Sequence, residues 1–253
     1  MRVTRVYVPQ PLAPDLHIDL MGPAATHVAH VLRLAAGDPL TLFNGDGHDY
    51  PARIVALRGG TVAVAVERVA AACAESPIAV TLVPGIARTE RMDFVVQKAT
   101  ELGVAAIQPV LAARGVVRLD AAASARKQGH WQGVAIAACE QCGRARVPSI
   151  GHPVALREWL AQPAPAGVLR IQLTPDAGVA LAATAAGAGA IEVLIGPEGG
   201  LEPAEHGVAL AAGYQPCHLG PRVLRSETAA LTALAILQAV AGDLGWSSRA
   251  GIA

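Results

Sequence analysis

Up to Val69, apolar and polar residues alternate in short runs: Val3 to Val8, His17 to Leu20, Leu40 to Phe43, Tyr50 to Leu57 and Thr61 to Val69. A period of two places successive side chains on opposite faces, so each run predicts a half-buried strand, and Gly45, Gly47 and the Gly59-Gly60 pair supply the turns between them. One stretch breaks the alternation. From Ala24 to Leu34 the apolar residues Val28, Val31 and Leu32 recur at helical spacing, and the pattern stops before Gly37. Several short strands with one helix predict a small barrel-like β domain.

The pattern changes after Val69. Residues 70–77, AAACAESP, lack alternation and end in proline, which marks a domain boundary, with one domain expected at 1–72 and a second at 77–245. Ile78 to Pro84 is a continuous apolar run of the kind a strand buried on both faces requires. Arg91 to Leu102 then carries Met92, Val95, Val96, Ala99 and Leu102 on one helical face and stops at Gly103. Strands are predicted at Ala106 to Leu111, Gly167 to Leu173, Ile191 to Ile195 and Pro216 to Leu219. Helices are predicted at Ala121 to Cys142, Leu156 to Leu160, Pro203 to Ala212 and Ser226 to Val240. Strands alternating with helices imply a mostly parallel sheet covered on both faces, with ligands bound beyond the carboxyl ends of its strands.

Composition narrows the class. The 253 residues are 53% hydrophobic, enough for a sizeable core, yet no run of about 18 apolar residues is free of Pro, Gly or charge, so no membrane span is expected. The amino terminus lacks a signal-peptide apolar stretch, and a cytoplasmic location is expected. Cys73, Cys139, Cys142 and Cys217 are too few and too irregularly spaced for a disulfide framework, and the single CxxC at Cys139 and Cys142 falls in a predicted helix, so no metal site is expected. Net charge is zero, but residues 85–147 carry nine basic against five acidic side chains, whereas from Pro148 onward the acidic ones lead by eight to five. The middle of the chain is thus the candidate for contact with a polyanion. An aromatic content of 3% leaves few platforms for base stacking.

Two strand ends stand out. The strand closing at Ile195 runs into Gly196-Pro197-Glu198-Gly199-Gly200-Leu201, and the one closing at Leu219 runs into Gly220-Pro221-Arg222-Val223-Leu224-Arg225-Ser226-Glu227-Thr228. Glycine admits a ligand close to the main chain, and proline stiffens the loop. Taken singly, each is also what a tight strand-to-helix turn looks like. Neither is a phosphate loop, because no Lys-Ser or Lys-Thr follows the glycines. Glu198, Arg225 and Glu227 set opposed charges in or beside the pair, suited to a zwitterionic ligand.

Four ordered segments carry a more specific signal: Lys98-Ala99-Thr100-Glu101-Leu102-Gly103, Glu140-Gln141-Cys142-Gly143-Arg144, Ile195 to Leu201, and Leu219 to Ala229. With Arg2 to Tyr7 and His27 to Arg33 they resemble the 16S ribosomal RNA uridine-N3 methyltransferases of the SPOUT superfamily. The resemblance implies a PUA-like β-barrel followed by a SPOUT α/β domain with a carboxy-terminal deep trefoil knot, assembled as a homodimer. It implies S-adenosylmethionine as cofactor, held by Leu173, Ile195, Gly196, Pro197, Glu198, Gly199, Gly200, Leu219, Gly220, Leu224, Arg225 and Thr228. Methylation of a uridine N3 in the decoding region of 16S ribosomal RNA, on the small ribosomal subunit, is the implied reaction. Arg225 is then the group that stabilises charge developing on the uracil carbonyls, and Glu227 its base or the residue that orients that arginine; the alternative is a structural Arg225–Glu227 ion pair. RNA contacts are expected from Arg2, Arg5 and Arg33 in the first domain and from Arg114, Arg118 and Arg144 in the basic middle.

Two segments depart from the family pattern. Gln128-Gly129-His130 stands where more lysine is usual, and Leu173-Thr174-Pro175-Asp176 lacks the histidine that commonly precedes the proline. The competing readings are a ribose 2′-O RNA methyltransferase of the same superfamily and a catalytically inactive RNA-binding assembly factor.

Overall fold

The computed structural model describes residues 3–115, 117 and 119–245, so Arg2 and Arg118 of the expected RNA contacts lie outside the described residues. The chain divides into two compact units, one formed by the residues up to Ala74 together with Ile136–Val147, the other by Glu75–Ala135 and the chain from Pro148 onward.

The first unit is built on strands β1 (Arg5–Tyr7), β2 (His17–Leu20), β3 (Pro39–Phe43), β4 (His48–Arg58), β5 (Thr61–Val66) and β6 (Ala70–Ala71). They pair in the order β1-β3-β4-β5-β2, with β6 beside β4; only β1 and β3 run parallel. Alternation does what it predicts: Leu40, Leu42, Ile54, Val62 and Val64 all point inward and are almost fully buried. The predicted helix is present but divided, as α1 (Gly22–Thr26) and a π-helical turn over His27–Val31, which brings Val28 into the same core.

The second unit follows as β7 (Ala79–Pro84), α2 (Thr89–Glu101), β8 (Ala106–Ile107), β9 (Val110–Leu111), α3 (Ala121–Cys142), β10 (Ser149–Ile150), β11 (Val154–Ala155) and α4 (Leu156–Leu160), then β12 (Val168–Leu173), α5 (Leu181–Thr184), β13 (Ala190–Ile195), α6 (Pro203–Ala211), β14 (Gln215–Cys217) and α7 (Ser226–Val240). Its six-stranded sheet is parallel throughout, in the order β10-β8-β7-β13-β12-β14. The strand predicted over Ala106 to Leu111 is split between two sheets. Pro109 cannot donate to the ladder, and beyond it Val110–Leu111 leaves β7 and pairs with β11. Helix α2 buries Met92, Val95, Val96 and Ala99 and ends at Gly103, whose φ of +80° is the left-handed terminator a helix favours. Helix α6 starts with Pro203 in its first turn behind a capping box of Glu202 and Glu205. The short helix α5 has no counterpart in the sequence reading, because LAAT is too brief to show a period.

Two neighbouring interior strands carry charge where a buried parallel sheet wants apolar residues. Arg170 on β12 and Glu192 on β13 are register partners, each 4% exposed, with the Arg170 Nε 3.5 Å from Glu192 Oε1. Tyr214 and Trp159 both donate to the same Glu192 oxygen, and Arg170 donates to the Ala212 carbonyl at 3.1 Å. Burial, and then the bond to Glu192, push the Tyr214 hydroxyl far above the ordinary phenol range, so it stays a donor. Among the described residues no helix is long and apolar enough to cross a membrane. Cys139 is buried with its Sγ donating to the Arg146 carbonyl at 3.6 Å, and Cys142 is half-buried; neither is in a disulfide.

Breaking this buried pair on one side strands a charge. Arg170→Met is expected to lower unfolding free energy by about 3–5 kcal/mol, and adding Glu192→Leu to recover most of that loss, as measured by urea denaturation. Equal stability of the single and double variants would show that Glu192 does not depend on Arg170.

Candidate active site at three adjacent strand ends

Because β12 lies between β13 and β14, all three parallel, the segments leaving Leu173, Ile195 and Cys217 emerge side by side at one edge of the sheet. They surround a cavity of about 570 Å³. Of the residues expected to hold a cofactor, Leu173, Ile195 to Gly200, Leu219, Gly220, Leu224 and Arg225 all face this cavity, while Thr228 lies one turn into α7 and is exposed. Arg91, His206 and Arg222 also face it and were not singled out from the sequence.

The loop after β13 is held from both sides. The Gly200 amide donates to the Pro197 carbonyl at 2.8 Å, and a φ of +70° at Gly200 makes that turn. Behind it, Gly85 at the end of β7 is so close that an added Cβ would stand 2.6 Å from the Pro197 ring, which explains a glycine at the exit of an otherwise apolar strand. On the other side, Arg114 donates to the Gly199 carbonyl at 3.4 Å, and the Ala113 amide donates to Glu205 at 2.8 Å. The loop after β14 is organised by His218, whose Nδ1 accepts from the Gly220 amide at 3.0 Å and whose own amide and carbonyl bind Val179 and Leu181.

The charges at the rim are arranged differently from the sequence expectation. Glu227 does not pair with Arg225. Its Oε1 lies 3.7 Å from Arg91 Nε, and Arg91 Nη1 donates to Glu198 Oε1 at 3.0 Å. The structural ion pair weighed between Arg225 and Glu227 is therefore replaced by one to Arg91, a residue from the start of α2 that sequence distance hid. Arg225 is exposed, faces the cavity and has no ion-pair partner among the described residues. His206, which lines the cavity, hydrogen-bonds Gln172 through its Nδ1 at 3.2 Å.

The residues expected to meet RNA separate by burial. Arg33 and Arg114 are exposed, but Arg5 and Arg144 are each 9% exposed. The Arg5 guanidinium is ion-paired to Asp49, donates to the Arg144 carbonyl at 3.2 Å and stands 4.8 Å over the Phe43 ring. It ties the β4 hairpin to the chain after α3 within the first unit. Among the described residues no group of three or more His, Cys, Asp or Glu side chains is placed to hold a metal ion.

A parallel sheet with loops from adjacent strand ends closing on one cavity is the arrangement of an α/β ligand-binding domain, and comparison with known proteins makes the class specific. Residues 74–238 match the model for an RNA methyltransferase domain and residues 20–67 that for an RNA methyltransferase PUA domain. The ribosomal RNA small subunit methyltransferase E of Mycobacterium bovis is 34% identical over 220 residues, covering 84% of this chain and 82% of its own. That of Buchnera aphidicola subsp. Schizaphis graminum is 29% identical over 243 residues, covering 96% of this chain and 98% of its own. The crystal structure of ribosomal RNA small subunit methyltransferase E from Neisseria gonorrhoeae, bound to S-adenosyl methionine, superposes with a TM-score of 0.90 at 35% identity over 96% of this chain and 100% of that one. A Legionella pneumophila structure described as a methyltransferase in complex with bound SAM gives 0.91 at 38% identity over the same shares. The chain belongs to the SPOUT-fold RNA methyltransferase family represented by ribosomal RNA small subunit methyltransferase E, as the sequence resemblance implied.

The close approach at Gly85 gives a direct test of the loop. Gly85→Ala is expected to cost about 1–3 kcal/mol in urea denaturation through its clash with Pro197. Gly207→Ala, whose added Cβ meets nothing within 4 Å, should be neutral or stabilising.

Proposed function

We propose that the chain methylates N3 of a uridine in the decoding region of 16S ribosomal RNA, on the small subunit, with S-adenosylmethionine as donor. The observation that carries this reading is the convergence on one cavity of three sequence-distant loops expected to hold that cofactor, in a chain of this family. The lining suits the cofactor. Leu173, Ile195, Leu219 and Leu224 offer an apolar wall for adenine, the glycine-rich loops offer main-chain donors and acceptors, and Glu198 places a carboxylate where a cationic ligand is tolerated. Bound there, S-adenosylmethionine supplies an electrophilic methyl group on its sulfonium.

The chain's own part is to position the base and to lower the cost of releasing its N3 proton. Arg225 suits that second task. It faces the cavity, is not committed to another side chain, and can donate to a uracil carbonyl as negative charge builds there. Glu227 does not line the cavity; its contacts with Arg91 and the Ser226 hydroxyl favour an orienting role over that of proton acceptor. Exposed Arg33 and Arg114 are the better candidates for RNA phosphates. The reading also includes a trefoil knot formed by the loops of the second unit, a PUA-like barrel for the first, and a cytoplasmic homodimer.

Incubation with S-adenosylmethionine and small subunits lacking the modification, followed by digestion and mass spectrometry, should yield 3-methyluridine. Recovery of 2′-O-methyluridine, or of no methylated nucleoside, would overturn the proposal. Arg225→Ala is expected to lower kcat about 10²- to 10³-fold with cofactor affinity changed about threefold or less. Unchanged turnover would remove Arg225 from the mechanism.

A further inference from the structure

The Arg91 guanidinium is shared between two carboxylates, Glu198 in the cavity wall and Glu227 on the helix whose Ser226 and Ala229 line the cavity. Glu198 lies in the loop after β13, Glu227 in the first turn of α7, and Arg91 reaches both from the first turn of α2. Isolated surface ion pairs contribute little. This one is different in kind: the three side chains are 33%, 26% and 14% exposed, and they join elements more than a hundred residues apart. Among the described residues neither glutamate has a second cation, Glu227's other contact being the Ser226 hydroxyl at 3.3 Å. A planar guanidinium meets the two acids through different nitrogens, Nη1 and Nε, which an ammonium on a flexible stem cannot reproduce.

We propose that Arg91 is a positioning residue that sets the spacing of the loop after β13 against α7 and thereby forms the cofactor cavity. The proposal rests on the reading that this cavity holds S-adenosylmethionine. Without Arg91 two carboxylates face each other across the rim with nothing to offset their repulsion, and the loop bearing Gly196 to Gly200 loses its tie to α7. Glu198 then meets the ligand as part of a shared pair, which fixes where its carboxylate stands. Arg91 and Arg225 have separate tasks: the first is consumed in shaping the cavity, the second is left free to act on substrate.

The test is S-adenosylmethionine binding by calorimetry, read beside the melting temperature of the ligand-free protein. Arg91→Gln is expected to weaken binding about tenfold or more while the ligand-free melting temperature moves by about 2 °C or less. Arg91→Lys should recover part of the affinity, since it can serve one carboxylate. In Arg91→Gln/Glu198→Gln the second change should cost less than it does alone, because it removes a charge the first left unpaired. Binding by Arg91→Gln within about twofold of the unsubstituted protein, strict additivity in the double variant, or a loss of affinity matched by a large fall in melting temperature would each overturn the proposal. Should Arg91→Gln not fold, Glu227→Gln tests the same tie from a residue that does not line the cavity; an unchanged affinity there overturns it as well. Failure of the unsubstituted protein to bind S-adenosylmethionine would instead remove the cofactor reading, before any substitution is compared.

Discussion

Parallel pairing of β12 with β13 on one side and β14 on the other is the constraint on which the site depends. A parallel ladder turns every strand's carboxyl end to the same edge, so loops from three separate parts of the chain are delivered within one ligand's width of each other. The pairing also dictates composition. Strands buried on both faces must be apolar, and the charged exceptions, Arg170 and Glu192, are tolerated because the register sets them side by side and Tyr214 and Trp159 complete the hydrogen bonding.

The same residue type does three different jobs in this chain, and burial and partners separate them. Arg5 and Arg170 are enclosed and neutralised by Asp49 and Glu192, and their role is to satisfy polar groups that folding removes from water. Arg91 is half-exposed and divided between two glutamates. Arg225 and Arg33 are exposed, so their guanidinium groups keep their hydration and stay open to an external acceptor. A count of basic residues along the chain cannot make this distinction, and it does not show that Arg5 is buried against Asp49.

Local pattern was a reliable guide wherever a single element's own residues decide its state. The strands at β2, β3, β5, β7 and β13 and the helices α2, α3, α6 and α7 all fall within a few residues of their predicted spans, because alternation, capping residues and helix-ending glycines act over a few positions. The differences lie where a distant partner enters. The pairing of Val110–Leu111 with β11 beyond Pro109 and the grouping of Ile136–Val147 with the first unit depend on which distant strand or core is available.

By itself the sequence determined the alternation of strands and helices, the two Gly-Pro loops at strand ends, and, through four ordered motifs, the family. These are properties of contiguous residues. Tertiary structure alone decided that Arg91 and His206 join the cavity lined by Leu173, Ile195 and Leu219, that Gly85 must be small because Pro197 lies on it, and that Glu227 faces Arg91 and not its near neighbour Arg225. Those relations are set by strand order and side-chain reach, physical quantities that come into being only when distant segments pack.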